Sequence, residues 1–390
     1  MILKNALVLN DKFLFEDIDV FIDEGKIKAL FKRDSVNKNE VSCYEPGNDF
    51  EVDLEGFYLL PGLIDIHIHG SIGHDIMDSS FEAINSISDY LAQNGITSFL
   101  ATTMSESFQR IKNAVLKVKA CMDIGTSGAQ LLGIHMEGPY FSKQYKGAQN
   151  DKFFSLPSVE QFKKLQTISG NNIKIVSIAP EIENALDFIK EISSINSAVV
   201  SIGHTGADYD TCIEAIQRGA SHATHLFNGM SPLNHRSPGV IGAVLEKELS
   251  SELICDGIHI HPCIIKLMYK LLGSSKIVLI SDAMRACGLK DGTYELGGND
   301  VLVKNGVART FDGNIAGSTS TLFQCVKKAI QIGIKPEDAF KMASINPARV
   351  IGSDNFKGSI REGKDADFII TDKNFNLINT IIRGRAVNPL

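Results

Sequence analysis

The chain has 390 residues, of which 44% are hydrophobic and 22% are charged, and this length and composition predict a large buried core. Its formal net charge of −7 argues against a surface that binds nucleic acid or an anionic membrane. The seven cysteines are scattered and the first 30 residues hold no long apolar stretch. We therefore expect reduced thiols, no signal peptide, no membrane span and a cytoplasmic location.

Both ends of the chain predict short β-strands. Near the start, residues 6–9, 18–22 and 26–30 are apolar runs separated by turn-forming residues. Near the end, residues 367–371 and 377–383 form two further runs. Because each end has too few strands to bury a face alone, we expect both to meet in one small β-sandwich domain, covering residues 1–57 and 356–390.

The middle of the chain alternates strand-like runs with helical patterns, which indicates βα units and a parallel sheet. Eight such runs can be counted, at residues 59–69, 97–103, 131–137, 173–179, 199–204, 220–227, 253–259 and 276–282. They predict an α/β fold, a (β/α)₈ barrel over residues 58–355, with its chemistry at the C-terminal strand ends. Residues 284–317 interrupt the pattern with glycine-rich, hairpin-like sequence, long enough to be a lid or an edge insertion.

Two histidines one residue apart, His67 and His69, lie at the end of the first of these runs. In a strand, side chains two positions apart point to the same face, so both imidazoles can share one metal ion. The alternative is a pair of hydrogen-bonded histidines at a strand end. We favour the metal site, because several later runs also end in His, Glu or Asp.

The third, fifth and sixth runs supply further candidate ligands. Glu137 ends the third run and His204 ends the fifth. His135 has the same parity as Glu137 but lies one layer deeper, so we interpret it as a core histidine. His222 and His225 in the sixth run differ by three and face opposite ways in a strand. We choose His225, which is nearer the C-terminal end, and interpret His222 as structural.

The eighth run is almost wholly apolar until Asp282. A carboxylate at the end of a buried strand has to be paired, metal-bound or catalytic, and the alternative is a helix N-cap. The candidates together are His67, His69, Glu137, His204, His225 and Asp282. Such donors suit one or two divalent metals and the hydrolysis of an amide, in which Asp282 would accept the proton of water and return it to the amine.

At this point the chain resembles the amidohydrolase superfamily, and more closely its N-acetylglucosamine-6-phosphate deacetylases. The resemblance rests on residues 61–65 with His67 and His69, and on residues 135–139, 203–204, 224–230, 256–259, 281–283 and 316–318. It implies that Glu137, His204 and His225 hold the principal metal and that Asp282 is the acid and base. His67 and His69 imply a second metal site, which some family members lack. Zinc, iron, manganese and cobalt all suit these donors.

The resemblance also implies a substrate site for N-acetyl-D-glucosamine 6-phosphate. Its residues would be Gln149, Asn228, Gly229, Arg236, His259 and Ala316. In the family the equivalent of Arg236 is supplied across a dimer interface to bind the phosphate, so a homodimer is implied, and the alternative is a solvated loop charge. Gln149 stands where some members have a histidine, and it cannot donate as a cation.

Other functions stay open at this point. One is hydrolysis of the galacto epimer, and another is a cyclic-amide hydrolase or a deaminase. The lysine that usually bridges two metals in the cyclic-amide enzymes is missing at the end of the fourth run, where Glu137 can take its place. A non-catalytic barrel that serves as a scaffold is disfavoured, because such proteins tend to lose metal ligands and this chain keeps the full set.

Overall fold

The computed structural model describes residues 1–32 and 50–389. Within these ranges the β-strands are β1 (Ile2–Lys4), β2 (Leu7–Leu9), β3 (Phe15–Asp23), β4 (Lys26–Lys32), β5 (Glu51–Asp53), β6 (Tyr58–Pro61), β7 (Leu63–Ile68), β8 (Gly70–Ser71), β9 (His74–Asp75), β10 (Ile96–Thr102), β11 (Gln130–Glu137), β12 (Ile173–Ile178), β13 (Val199–Ile202), β14 (His222–Ala223), β15 (Ser250–Ile254), β16 (Ile277–Ile280), β17 (Gly292–Leu296), β18 (Asn299–Lys304), β19 (Val307–Thr310), β20 (Phe368–Thr371), β21 (Leu377–Ile382) and β22 (Arg385–Ala386).

The α-helices of the same ranges mostly follow the barrel strands. They are α1 (Phe81–Gln93), α2 (Phe108–Ile124), α3 (Val159–Ile168), α4 (Ala185–Ser194), α5 (Tyr209–Gln217), α6 (Gly239–Glu246), α7 (Pro262–Leu272), α8 (Leu322–Gln331), α9 (Pro336–Ala343) and α10 (Ile345–Val350). Short 3₁₀ turns cover Ile76–Asp78, Lys143–Tyr145 and Asp151–Phe153. In the described part of the chain, no helix combines the length and the apolar character that crossing a bilayer requires.

Eight parallel strands form the barrel, in the order β7, β10, β11, β12, β13, β14, β15, β16. The last strand returns to the first, because the backbone N–H of Asp282 donates to the carbonyl of His67 at 2.9 Å and that of His69 donates to the carbonyl of Ala283 at 2.9 Å. Every residue of β7, β10 and β16 is buried, as expected for parallel strands covered by helices. The predicted (β/α)₈ barrel is confirmed.

The core of the barrel has an inner and an outer layer. Inner side chains from five strands pack with Ala348 of α10, and they are Ile64, Ile66, Leu100, Ile175, Ile254, Val278 and Ile280. Their sequence neighbours, such as Leu63, Phe99 and Leu279, belong to the larger cluster that packs against the helices. This alternation fills the barrel with apolar side chains and leaves polar chemistry to the C-terminal strand ends.

Both ends of the chain form a second, smaller unit, as the sequence predicted. Its strands run in the order β22, β21, β20, β6, β2, β3, β1, β5, and β4 pairs with β3. The unit has its own core, which includes Val8, Ile18 and Phe368.

The predicted run 59–69 is two strands, β6 in this unit and β7 in the barrel, divided at Gly62. A side chain at Gly62 would lie 2.3 Å from Thr97 Oγ1. The domain limits at residues 57 and 356 stay predictions.

A buried ion cluster lies in the terminal unit, next to its junction with the barrel. Lys357 is 2% exposed, and its ammonium lies 2.7 Å from Asp365 and 2.5 Å from Asp367. Asp365 also pairs with Lys26 of β4 at 2.5 Å. The carbonyl of Asp367 accepts the backbone N–H of Gly62, at the point where the chain passes into the barrel. These contacts give the C-terminal segment 358–367 a structural role.

Residues 284–317 contain a three-stranded antiparallel sheet, β17, β18 and β19, in line with the hairpin-like sequence. Arg285 fixes its first strand, because its guanidinium donates to the carbonyl of Gly73, to Asp78, and to the carbonyl and carboxylate of Glu295. At the turn into β18, the side-chain amide of Asn299 donates to the carbonyl of Ala148 at 3.0 Å. The insertion therefore lies beside the C-terminal strand ends.

Candidate active site

Six polar side chains meet at the C-terminal end of the barrel, and each is between 0 and 8% exposed. They lie at the ends of β7 and β11 or just beyond β13, β14 and β16, and they are His67, His69, Glu137, His204, His225 and Asp282. All but His67 line a cavity of about 270 Å³, which Leu296 of β17 also borders. The structure thus brings together every side chain for which the sequence suggested metal or acid–base chemistry.

The carboxylate of Glu137 lies at the centre of this group. Its Oε1 is 3.1 Å from His204 Nε2 and 3.0 Å from His225 Nε2. Its Oε2 is 3.4 Å from His69 Nε2 and accepts a hydrogen bond from the amide of Gln149 at 2.6 Å. One carboxylate therefore faces imidazoles with both of its oxygens.

Asp282 faces the histidine pair of β7. Its Oδ1 lies 3.5 Å from His67 Nε2 and 3.3 Å from His69 Nε2. His67 Nε2 is also 3.7 Å from Glu137 Oε1. The two histidines thus converge on the same small volume, as their spacing predicted, and a carboxylate borders it on either side.

These residues fit a divalent metal. The donor atoms of His67, His69 and Asp282 lie within 4.8 Å of one another, as do those of His67, Glu137 and His225. His67 Nε2 is buried and has no hydrogen-bond partner among the described residues, so a lone pair aimed into the group is left for a cation. Imidazole and carboxylate donors in this number suit zinc, iron, manganese or cobalt.

The histidines and carboxylates of the group each stabilise the charged form of the other. Burial alone would lower the pKa of His67, but the carboxylates of Glu252, Asp282 and Glu137 outweigh burial and raise it to about 10. Burial alone would raise the pKa of Glu137, but hydrogen bonds with His204 and His225 hold it well below its ordinary value. Burial likewise opposes ionisation of Asp282, whose pKa is nevertheless lowered by His67 and His69. Both carboxylates are therefore ionised at neutral pH.

Three of the six residues have left-handed backbone conformations, with φ of 47° at His204, 28° at His225 and 48° at Asp282. This region is uncommon for residues other than glycine, although His, Asn and Asp tolerate it best. The strand β14 stops at Ala223, so His225 lies in a turn and not in a strand. The strand-parity argument used to choose His225 over His222 was wrong for this reason, and His225 reaches the group because the backbone turns.

The loop that carries His204 is held from two sides. Its Nδ1 lies 2.9 Å from the carbonyl of Tyr145, to which a neutral ring would donate. The carboxylate of Glu181 accepts the hydroxyl of Thr205 at 2.6 Å and the backbone N–H of Gly206 at 2.7 Å. These contacts direct His204 Nε2 toward Glu137.

The sequence interpretation missed Glu252, which is fully buried in β15. Its Oε2 accepts the ring N–H of His67 at 2.9 Å and the backbone N–H of His225 at 3.0 Å. The available signal was a single acid in an apolar run, but the predicted run began one residue later, at position 253. His222 lies behind it, with Nε2 3.4 Å from Glu252 Oε1.

A second missed carboxylate, Asp65, is fully buried in β7. Its Oδ1 lies 3.4 Å from the backbone N–H of His67 and 3.3 Å from that of Ser281, where β7 meets β16. Burial raises its pKa to about 7. His135, interpreted as a core histidine, is also fully buried, and its ring nitrogens contact the carbonyl of Ile66 and the hydroxyl of Ser177.

Four of the six predicted substrate residues line the cavity: Gln149, Asn228, Gly229 and His259. The ring of His259 is held by Asp256, whose Oδ2 lies 2.7 Å from Nδ1. Gln149 is already engaged, because its amide donates to Glu137 and its Oε1 accepts the backbone N–H of Ser105 at 2.8 Å.

The other two predicted substrate residues lie outside the cavity lining. Ala316 is buried between two lining residues, Ile315 and Gly317. Arg236 lies on an exposed loop, and its side chain does not line the cavity of its own chain. The structure therefore does not bring Arg236 to the site within one subunit.

Comparison with known proteins agrees with this geometry. Residues 58–387 match the Amidohydrolase family. The chain is 39% identical to the N-acetylglucosamine-6-phosphate deacetylase of Bacillus subtilis, over 98% of this chain and 96% of that protein. It is 36% identical to the N-acetylgalactosamine-6-phosphate deacetylase of Escherichia coli O157:H7, over 98% of each. Among solved structures, it superposes with a TM-score of 0.91 on an aspartate-to-alanine mutant of N-acetyl-D-glucosamine-6-phosphate deacetylase from Mycobacterium smegmatis in complex with N-acetyl-D-glucosamine 6-phosphate, at 27% identity over 100% of this chain and 99% of that one.

Proposed function

The chain belongs to the amidohydrolase family, and from this premise we propose that it hydrolyses N-acetyl-D-glucosamine 6-phosphate to D-glucosamine 6-phosphate and acetate. The observation that carries the proposal is the convergence of His67, His69, Glu137 and Asp282 with two further histidines beside one cavity. The relatives with this activity match nearly the whole chain, so the fold and the residues of the site support the same function.

Glu137, His204 and His225 would hold the principal metal, and His67 with His69 would hold a second. A divalent metal bound there supplies Lewis-acid activation of water and of the acetyl carbonyl. Glu137 could serve both positions, because its Oε1 faces His204 and His225 while its Oε2 faces His69. Zinc is our first candidate, and iron, manganese and cobalt suit the same donors.

Asp282 would act as the general base and then as the general acid. It is ionised at neutral pH and lines the cavity, so it can accept a proton from the attacking water. As the bond between the acetyl carbon and the sugar nitrogen breaks, the protonated Asp282 returns that proton to the amine. The second proton of the water is lost from the new carboxyl group and protonates the amine, so one water and one amide give one acetate and one ammonium group.

The remaining cavity residues would bind the sugar phosphate. Asn228, Gly229 and His259 lie on the rim beside the histidine cluster, and Ala316 lies just behind it. Gln149 would act partly through Glu137, because its amide already donates to that carboxylate. Arg236 would bind the phosphate from the neighbouring subunit of a homodimer, which agrees with its exposure on a loop outside its own cavity.

The galacto epimer is a second candidate substrate. The relative from Escherichia coli O157:H7, 36% identical over 98% of this chain, is an N-acetylgalactosamine-6-phosphate deacetylase. The two sugars differ in one hydroxyl orientation, so the same metal and acid–base residues would serve either of them.

The test is acetate release from N-acetylglucosamine 6-phosphate, its galacto epimer and unphosphorylated N-acetylglucosamine, with and without a chelator. We expect chelator-sensitive release that is fastest with the phosphorylated gluco sugar. Faster release from the galacto epimer would favour the second candidate. No release from any of the three, in protein reloaded with zinc, manganese or cobalt, would contradict the proposal.

We also propose a cytoplasmic location. The six cysteines within the described ranges are all free thiols, and five of them are buried. Free thiols are typical of a reducing compartment.

A further inference from the structure

The carboxylate of Glu252 lies beside the histidine cluster and is fully buried, at 0% exposure. In the part of the chain that the structure describes, its ion-pair partners are all histidines: His67 at 2.9 Å, His222 at 3.4 Å and His135 at 3.9 Å. The buried carboxylates of Asp365 and Asp367, by contrast, pair with lysine. Burial of a carboxylate costs free energy unless such partners compensate its charge. The position of Glu252 beside a proposed metal ligand therefore suggests a role that involves that ligand.

The contact with His67 fixes which ring nitrogen of that histidine is free. An ionised carboxylate only accepts hydrogen bonds, so His67 Nδ1 has to carry the proton that it shares with Glu252 Oε2. The lone pair of the neutral ring is then on Nε2, the atom that lies 3.5 Å from Asp282 Oδ1 and 3.7 Å from Glu137 Oε1. A metal ligand needs its lone pair in that place.

The same oxygen also reaches a second ligand. Glu252 Oε2 accepts the backbone N–H of His225 at 3.0 Å, in the turn where that residue has a φ of 28°. One atom on β15 therefore holds a ring from β7 and a backbone turn that follows β14. The two candidate metal positions are linked through it.

We propose that Glu252 is a positioning residue that sets the tautomer and orientation of His67, so that Nε2 binds the second metal ion. The inference rests on the metal dependence of the proposed function and goes beyond it, because it assigns a role to a residue that touches neither metal nor substrate. The competing explanation is that Glu252 is only a satisfied core carboxylate, with no consequence for the metal.

The first test measures metal affinity, not turnover. Chelator-stripped protein is titrated with Zn²⁺ against a chromophoric chelator, and Glu252→Gln is compared with the unmodified chain. The amide keeps the shape and one acceptor oxygen but removes the charge. We expect two ions per unmodified chain, and in Glu252→Gln we expect about 10- to 100-fold weaker binding of the second ion. The affinity of the first ion should stay within about threefold, because the remaining amide oxygen can still accept the backbone N–H of His225.

His67→Asn decides whether Glu252 acts through His67. In that background the second ion should already be lost, and adding Glu252→Gln should change the affinity of the remaining ion by less than about threefold. A matched control is Asp367→Asn, which removes another buried carboxylate that accepts a backbone N–H, that of Arg383 at 2.8 Å, and pairs with a cation. It should leave both metal affinities unchanged.

A second measurement determines the tautomer in the unmodified chain, and a variant is needed only to assign the signal. In zinc-loaded protein labelled with ¹⁵N-histidine, two-bond ¹H–¹⁵N correlations report the tautomer of each ring, and loss of one signal set in His67→Asn assigns His67. We expect the proton on Nδ1. A proton on Nε2 would overturn the proposal, as would unchanged binding of the second ion in Glu252→Gln, an equal loss for both ions, or only one ion in the unmodified chain.

These readouts are independent of the substrate. If no acetate is released from any sugar while the metal affinities and the tautomer behave as expected, the proposed substrate fails and the role of Glu252 stands. If acetate is released but Glu252→Gln binds both ions normally, the role of Glu252 fails and the proposed function stands.

Discussion

Three buried carboxylates, Glu137, Glu252 and Asp282, surround the ring of His67. They raise the pKa of His67 to about 10 against the effect of burial. Without a metal, the ring is therefore protonated on both nitrogens at neutral pH. A metal ion that binds Nε2 has to displace that proton, and its own charge then compensates the carboxylates in its place. The cluster is thus balanced either by a proton or by a metal.

Asp282 is the residue at which proton transfer can be tested separately from metal binding. In Asp282→Asn the amide cannot accept the proton of water, so we expect kcat to fall by about 10²- to 10⁴-fold. Metal content should stay largely intact, because Glu137, His204 and His225 remain. Steady-state kinetics and metal analysis on the same preparation check both statements, and retained turnover would exclude Asp282 as the acid and base.

Gly229 tests how tightly the ring of His204 is packed. An added Cβ at Gly229 would lie 2.7 Å from His204 Nδ1, so Gly229→Ala should displace this ligand and lower the affinity of the principal metal at least about tenfold. The backbone also has a φ of 59° there, which costs an alanine about 1–2 kcal/mol.

Gly352→Ala is the matched control for the backbone conformation. Gly352 has a φ of 67°, and an added Cβ there has no atom within 4 Å. Both variants should lose a similar amount of stability in urea unfolding, but only Gly229→Ala should lose metal in a competition titration. Equal metal affinities in the two variants would show that His204 is not constrained by this contact.

At the scale of elements, the three-stranded insertion forms one wall of the cavity through Leu296 at the end of β17. Arg285 holds that strand by hydrogen bonds to the carbonyl and carboxylate of Glu295, and it holds the insertion to the barrel by hydrogen bonds to Gly73 and Asp78. The insertion is therefore fixed to the barrel at its first strand and not only at its ends.

Arg285→Met should loosen this wall and raise KM several-fold, while kcat changes less because the metal ligands lie on the barrel itself. Arg309→Met on β19 is the control, since among the described residues its guanidinium donates only to the carbonyl of Gly313, within the same insertion. Initial rates over a range of substrate concentrations separate the two constants. A fall in kcat alone for Arg285→Met would indicate a role in the chemical step instead.

The elements predictable from sequence were those with strong local patterns. His67 and His69 were found because alternation in a strand is local, and Asp282 because a lone acid ends an apolar run. The break at Gly62 depends on the side chain of Thr97, which is distant in sequence. His225 was chosen with a strand argument, although the strand had already ended. Glu252, like Asp282, is an acid in a buried apolar run and therefore needs partners. Those partners come from other parts of the barrel, so the sequence of its own run does not identify them.

At the scale of the whole molecule, the ion cluster around Lys357 lies in the terminal unit near its junction with the barrel, and Lys364 lies beside it at 2% exposure. Its ammonium donates to the carbonyl of Lys357 at 2.9 Å and to the hydroxyl of Ser359 at 2.7 Å. Burial, together with the charge of Arg361, lowers the pKa of Lys364 to about 8. The folded protein therefore holds this proton less tightly than the unfolded chain does.

Stability should respond to pH accordingly. Between about pH 8 and 10.5 the unfolded chain keeps the proton that the folded protein releases, so the free energy of unfolding gains about 1–3 kcal/mol from Lys364 as pH rises. In Lys364→Met the free energy of unfolding does not receive this increase as pH rises. The difference between the original chain and the variant in urea unfolding should thus grow in favour of the original chain from pH 7.5 to pH 10.

The half-buried Lys327 supplies the control, because in the described part of the chain its ammonium donates a hydrogen bond to the side chain of Asn376 alone, at 2.8 Å. Lys327→Met should show the pH dependence of the original chain. A difference between Lys364→Met and the original chain that stays constant with pH would contradict the role of the Lys364 proton.

The left-handed backbone at His204, His225 and Asp282 has a consequence for engineering. Each of these positions carries conformational strain, which a glycine would release. A selection for heat resistance alone therefore favours replacement of residues to which we assign the chemistry. Thermostabilisation of this chain should leave these three positions fixed and look for its gains elsewhere, for example in the terminal sheet.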